Sequence, residues 1–322
     1  MSQPWHQERL AARLPYLRRR QLAAAATRAF FRARGYMEVE TPYAVAAPGE
    51  EVHLGAFRLA PSGLYLHTSP EFAMKKLLAG GAGKIFQLAR VWRDEPRSAT
   101  HEPEFTMLEW YCPGASMDDL IGEVAAFLQA VLPPVFAYGR HEVSLASVER
   151  LSVAEAFARF AGADVLATAG DATALAASAG AMLRAGEDWE DLFFRLLLER
   201  IEPQIGRAGP CFLTHWPAAQ AALARRAPED ERVAERFEVY VAGLELANAF
   251  VELTDAAEQR ARFLADRARR HALYGPDWPM DEDFLAAVAA LPPCAGIALG
   301  FDRLVMLATG ALRMADVLWL PG

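Results

Sequence analysis

Cysteine is scarce in this 322-residue chain: only Cys112, Cys211 and Cys294 occur, far apart and odd in number. No C-x-x-C pair is present, which argues against a disulfide framework or a zinc site and fits a reducing cytoplasm. Lysine is equally rare, at Lys75, Lys76 and Lys84, so the positive charge is nearly all arginine. A positive excess is missing too. The formal net charge of -8 argues against a protein that coats nucleic acid and leaves room only for a local basic patch. No apolar run is long enough to cross a bilayer. The first residues, with Glu8 and several arginines, lack the apolar stretch of a secretory signal. There is no internal repeat and no low-complexity tail. A soluble, cytoplasmic protein without membrane contact is expected.

What is present is the composition of a globular chain, 53% hydrophobic and 23% charged, long enough for one large domain or two modest ones. Leu17, Leu22, Ala25, Phe30 and Phe31 recur at helical spacing, predicting a helix over 15–34 that Gly35 ends. Tyr36 to Thr41 alternates like a strand stopped by Pro42, and 64–69 reads as a short strand. Phe72 to Ala79 reads as a helix. Ile85 to Trp92 and Glu104 to Tyr111 read as two strands of an antiparallel hairpin around a long polar loop. Residues 116–201 are alanine-rich and mostly helical in pattern, and a further helix is expected after Pro217. A strand pair should flank Ala242–Gly243. Asp255 and Glu258 have capping-box spacing at the head of a helix running to about His271. A strand at 295–299, Gly300 and a helix from Asp302 to Ala308 close the chain.

Five groups of residues carry chemistry. Arg93 and Glu95 stand two residues apart at a strand end, where an arginine can hold a phosphate or carboxylate bidentately and a glutamate can accept from an amine; alone, the pair reads as a surface ion pair. Phe105, Met107, Glu109 and Tyr111 share one strand face. A carboxylate there needs a partner, either an internal ion pair or a bound ammonium, and Phe105 suits either a core or a stacked base. Glu238 and Glu245 flank the Ala242–Gly243 turn, so a hairpin can bring them together around Mg²⁺, or leave them on solvated edges. Asn248, Phe250 and Glu252 share the next strand face. Finally, Gly300 lets a strand turn into a helix whose first turn carries Arg303, a position that favours a bound anion.

Taken in order, Gly35–Pro42, Phe86–Tyr111 and Gly296–Arg303 resemble the three signature motifs of the class II aminoacyl-tRNA synthetases. The segment His101-Glu102-Pro103-Glu104-Phe105-Thr106-Met107-Leu108-Glu109-Trp110-Tyr111 is similar to motif 2 of the lysyl subgroup, and Glu71 in Thr68-Ser69-Pro70-Glu71 matches as well. The stretches 215–221, 233–240, 245–248 and 252–256 are similar to the truncated paralogues of that subgroup that attach (R)-β-lysine to elongation factor P. The resemblance spans essentially the whole chain. It implies an α+β fold, a class II catalytic core with a mainly antiparallel sheet flanked by helices. It further implies a single domain over 1–322 with a helical insertion at about 113–232 and no room for an anticodon-binding domain before motif 1.

The same resemblance implies roles. Arg93 and Arg303 would be catalytic, with Arg93 on the α-phosphate and amino-acid carboxylate and Arg303 on the γ-phosphate. Glu95 and His101 would sit near adenine or the phosphates of ATP, and Phe105 would stack on adenine. Glu238 and Glu245 would bind Mg²⁺. Glu71, Glu109, Tyr111, Asn248, Phe250, Glu252 and Ala298 would receive (R)-β-lysine or lysine. Elongation factor P would be the protein substrate, the enzyme a homodimer, and stable tRNA binding is not expected. Three positions depart from the synthetase pattern: Glu102 and Ala298 replace asparagine and glycine, and Ala249 replaces a glycine beside the expected pocket. One methyl, as at Ala298, is worth about 1–3 kcal/mol of selectivity. Two other readings fit the motifs: a truncated synthetase with a tRNA or small-molecule acceptor, and a non-catalytic sensor of amino acid or ATP.

Overall fold

The computed structural model describes residues 3–275 and 278–321. Its strands are β1 (Met37–Glu38), β2 (Ala44–Val45), β3 (Tyr65–Leu66), β4 (Ile85–Trp92), β5 (Glu104–Pro113), β6 (Val135–Tyr138), β7 (His141–Ser144), β8 (Glu149–Ser152), β9 (Cys211–Pro217), β10 (Arg226–Ala227), β11 (Asp230–Val241), β12 (Leu244–Val251) and β13 (Cys294–Gly300). Its α-helices are α1 (Gln7–Ala33), α2 (Glu71–Ala79), α3 (Met117–Val131), α4 (Val153–Ala156), α5 (Ala172–Ser178), α6 (Trp189–Leu196), α7 (Ala256–Tyr274), α8 (Glu282–Val288), α9 (Phe301–Thr309) and α10 (Met314–Val317). Among the described residues no helix is long and apolar enough to cross a membrane.

The described residues form a nine-stranded sheet in the order β1-β4-β5-β13-β12-β11-β9-β8, with β10 on β11. The pairs β1–β4 and β8–β9 are parallel and the others antiparallel. Strand alternation gives the sheet two different faces. Phe86, Leu108, Trp110, Val239, Ala249, Ile297 and Leu299 point into a core shared with α1, α3 and α9. Gln87, Met107, Glu109, Tyr111, Asn248 and Phe250 belong to the alternate positions. A second core packs α4, α5 and α6, with π-helical turns at Phe157–Ala161 and Leu197–Ile201, against β9.

Several expectations shift. The first helix starts at Gln7 and carries Pro15 within it. The strand expected at Tyr36–Thr41 is only Met37–Glu38, because its single partner is the edge of β4. The stretch 113–232 is not helical throughout: β8 and β9 extend the main sheet, and β6 and β7 form a separate hairpin. Trp216 and Phe212 give β9 a buried apolar run. After Pro217 there is one 3₁₀ turn, Ala218–Gln220, rather than a longer helix. Asp255 caps α7 by accepting from the amides of Ala257 and Glu258.

Candidate active site

The site is built on cross-strand rows. In register, Gln87 on β4 faces Glu109 on β5, Glu109 faces Ala298 on β13, Ala298 faces Asn248 on β12, and Asn248 faces Glu238 on β11. The neighbouring row runs Tyr111, Gly296, Phe250, Arg236. Because the side-chain period is two, both rows lie on one face. They floor a cleft of about 540 Å³ whose lining includes Glu71, Arg93, Glu95, His101, Phe105, Glu245, Asn248, Phe250, Ala298 and Arg303. Glu109, Tyr111, Glu238 and Glu252 are buried. Ala249 is the exception among the singled-out positions. It faces Ile297 in the core on the opposite side of the sheet, so it does not border the pocket.

At one end of the cleft lie the arginines. Arg93 and Glu95 follow β4 rather than ending it, and the Glu95 amide donates to the Arg93 carbonyl at 2.9 Å, so a tight turn aims them instead of strand alternation. The Arg93 guanidinium lies 5.4 Å from the centre of the Phe105 ring, and its buried Nε has no hydrogen-bond partner in the protein. Arg303, in the first turn of α9, donates to the Glu245 carbonyl at 2.6 Å and to His101 Nε2 at 2.7 Å. Burial, then the Arg303 charge, lowers the His101 pKa, which keeps the ring neutral and its Nε2 an acceptor.

At the other end a buried group of carboxylates surrounds one lysine. Glu109 is 1% exposed and accepts from the Tyr111 hydroxyl at 2.6 Å and the Ser69 hydroxyl at 2.8 Å. Burial, then the charge of Glu71, pushes its carboxyl up to about 8. Glu252 is 2% exposed and stands 2.6 Å from Lys75, a charge contact without good hydrogen-bond alignment; burial pushes it up to about 7. Lys75 also donates to Glu71 at 2.5 Å. Gly296 is required by the close approach here, since a Cβ would lie 2.3 Å from the Tyr111 ring and 2.6 Å from a Glu252 oxygen.

Glu245 stands beside Arg303, and Glu238 faces Asn248 from the neighbouring strand. Glu238 accepts from Tyr240 at 2.6 Å and Arg236 at 2.7 Å, while burial and then Glu245 push its carboxyl up to about 7. Glu245 is more open and lies 3.8 Å from Arg303. Two hard oxygen donors that repel each other, without nitrogen or sulfur, suit a magnesium ion that takes its other ligands from water and phosphate. Among the described residues no three His, Cys, Asp or Glu side chains cluster as a complete metal cage.

Residues not singled out from sequence complete the frame. Arg236 donates to Glu238 and to Asn248 Oδ1 and packs over Trp216. Arg20 on α1 pairs with fully buried Asp302, which also accepts from the Thr106 amide at 2.7 Å. Arg236-x-Glu238-x-Tyr240 follows strand alternation and could have been read as one face. The Arg20 contact joins residues 282 apart and leaves no local signal.

The comparisons agree with this architecture. The family model described as tRNA synthetases class II (D, K and N) matches residues 6–322. Curated relatives include the elongation factor P–(R)-β-lysine ligases of Salmonella dublin, Salmonella paratyphi B and Salmonella heidelberg. Each is 44% identical over 322 residues, covering 96% of this chain and 95% of the relative. The chain therefore belongs to the class II tRNA synthetase family of the D, K and N type.

Proposed function

We propose that this protein is an ATP-dependent ligase that activates (R)-β-lysine, or lysine, as an aminoacyl-adenylate and transfers it to a lysine side chain of elongation factor P. The observation that carries the reading is one cleft lined by Arg93, Arg303, Phe105, Ser69 and Glu71, with the buried carboxylates Glu109 and Glu252 next to it, joined to Ser69 and, through Lys75, to Glu71. The near-full-length relatives bear the ligase name.

ATP lies with its adenine against Phe105 and its phosphates toward Arg303. Glu95 and His101 flank it. Glu71, Glu109, Tyr111, Asn248, Phe250, Glu252 and Ala298 receive the amino acid, with the ammonium groups toward the carboxylates and the carboxylate toward Arg93. The amino-acid carboxylate attacks the α-phosphorus and pyrophosphate leaves. Arg93, whose Nε has no competing protein acceptor, offsets the charge that develops. Glu238 and Glu245 would hold Mg²⁺, which neutralises phosphate charge when bound. The ε-amine of the acceptor lysine then attacks the adenylate carbonyl, AMP leaves, an amide forms and the amine gives up a proton. Positioning and charge carry both steps, and no protein nucleophile is needed.

The α1–β1 region is taken as a homodimer surface, to be checked by light scattering, and the three free thiols fit the cytoplasm. The function is tested by ATP–pyrophosphate exchange dependent on (R)-β-lysine or L-lysine, followed by mass spectrometry of elongation factor P. A mass gain of one lysine residue is expected. Exchange followed by labelling of tRNA alone would replace the acceptor, and absence of exchange with either isomer would overturn the reading.

A further inference from the structure

Lys75 is 2% exposed and sits on α2 with its ammonium between two carboxylates that converge from different elements. Glu71 comes from the first turn of the same helix, at 2.5 Å, and Glu252 from the chain just after β12, at 2.6 Å. The other titratable groups that act on this centre are Glu109, Tyr111, Cys294 and, through Glu71, Glu51, whose own charge is opposed by Arg93 and Arg270. A buried ammonium is stable only when paired, and so is a buried carboxylate. Three carboxylates and one ammonium carry a formal charge of minus two. A substrate with two ammonium groups brings that to zero, and its own carboxylate is matched separately by Arg93.

We infer that Lys75 is a positioning residue that sets the charge of the amino-acid pocket: by cancelling one of three converging carboxylates, it leaves room for two substrate ammonium groups. The inference rests on the amino-acid pocket described above and adds the reason for its preference. A substrate with one ammonium leaves a buried carboxylate uncompensated and is rejected on that ground. Without Lys75, the nearest carboxylates share a proton in its place, because two like charges so close cannot both ionise.

The test is calorimetric binding of L-lysine, (R)-β-lysine and 6-hydroxynorleucine, which lacks the second ammonium, to the full chain in buffers of different ionisation enthalpy. The wild type should bind a diamino acid at least ~100-fold more tightly than 6-hydroxynorleucine, expelling protons held by the pocket carboxyls. Lys75→Met should bind the diamino acid at least ~10-fold more weakly and expel at least as many protons per site, because the proton that stands in for Lys75 is held most tightly by the empty pocket, with ATP affinity unchanged. Lys75→Met/Glu71→Gln, which restores the formal charge of minus two while keeping Glu109 and Glu252, should recover affinity relative to Lys75→Met alone. Wild-type affinity in Lys75→Met would show that the side chain only fills space. Should Lys75→Met fail to fold, the double variant decides. Recovery of folding together with lysine binding supports charge compensation, and a folded double variant blind to lysine overturns it. Failure of the wild type to bind any diamino acid is a separate result, which removes the pocket assignment itself.

Discussion

Arg303 donates across 2.7 Å to Nε2 of His101, a residue 202 positions earlier, and with its other nitrogen holds the Glu245 carbonyl at 2.6 Å. One guanidinium thus ties the loop after β4, the start of β12 and the first turn of α9. Replacing Arg303 with alanine should lower amino-acid-dependent ATP–pyrophosphate exchange by ~10²–10³-fold, the usual cost of losing a preorganised charge contact. The measurement is the exchange rate at saturating amino acid, and an unchanged rate would remove Arg303 from the phosphate site.

The raised carboxyls in the pocket predict a pH dependence. Glu109 is pushed up to about 8 and Glu252 to about 7, mainly by burial. Both must be ionised to receive ammonium groups, so the KM for the amino acid should rise as pH falls from 8.5 to 6. The stability sign is opposite. A carboxyl raised on folding stabilises the free protein below its unfolded value near 4.5, and that contribution is lost as pH rises through about 7 to 8. Bound lysine neutralises the ionised forms, so its increase in Tm should be larger at pH 8.5 than at pH 6. A thermal shift independent of pH would count against these carboxyls as the ammonium site.

Gly296 separates the two ends of the cleft experimentally. A methyl there would lie 2.3 Å from the Tyr111 ring and 2.6 Å from Glu252. Gly296→Ala should therefore raise the amino-acid KM at least tenfold while leaving ATP affinity near wild type, since Phe105 and Arg303 are untouched. Equal losses of both affinities would instead mean that the sheet has been distorted.

Arg20 and Asp302 form a buried pair in which Asp302 also accepts from the Thr106 amide. Removing one partner leaves an uncompensated buried charge, worth about 3–5 kcal/mol. Arg20→Ala should lower the unfolding free energy measured in urea by that amount, whereas breaking an exposed pair such as Arg232–Asp230 should change it little.

The strand pairs around Glu109 and Asn248 were legible because apolar and polar residues alternate there with period two, and the turn at Ala242–Gly243 adopts positive φ at both positions. The motif resemblance then named fourteen residues, ten of which line the cleft while the other four are buried. Ala249 was misjudged for a simple reason: its neighbours Asn248 and Phe250 belong to the site, and alternation turns the residue between them into the core. The strands within 113–232 were hidden because β6, β7 and β8 are only four residues each, too short to show a period, and the pairing of β8 with β9 joins segments about 60 residues apart.

By itself the sequence determined the class II motifs, the faces of the central strands and the residue types of the proposed ATP and amino-acid site. Only the tertiary structure decided that Lys75 stands between Glu71 and Glu252, that Arg236 holds Glu238 beside Asn248, and that Arg20 anchors Asp302. The reason is physical. Strand alternation is written into neighbouring residues, whereas the partner of a buried charge is chosen by which distant elements the packed sheet and helices bring within a few ångströms.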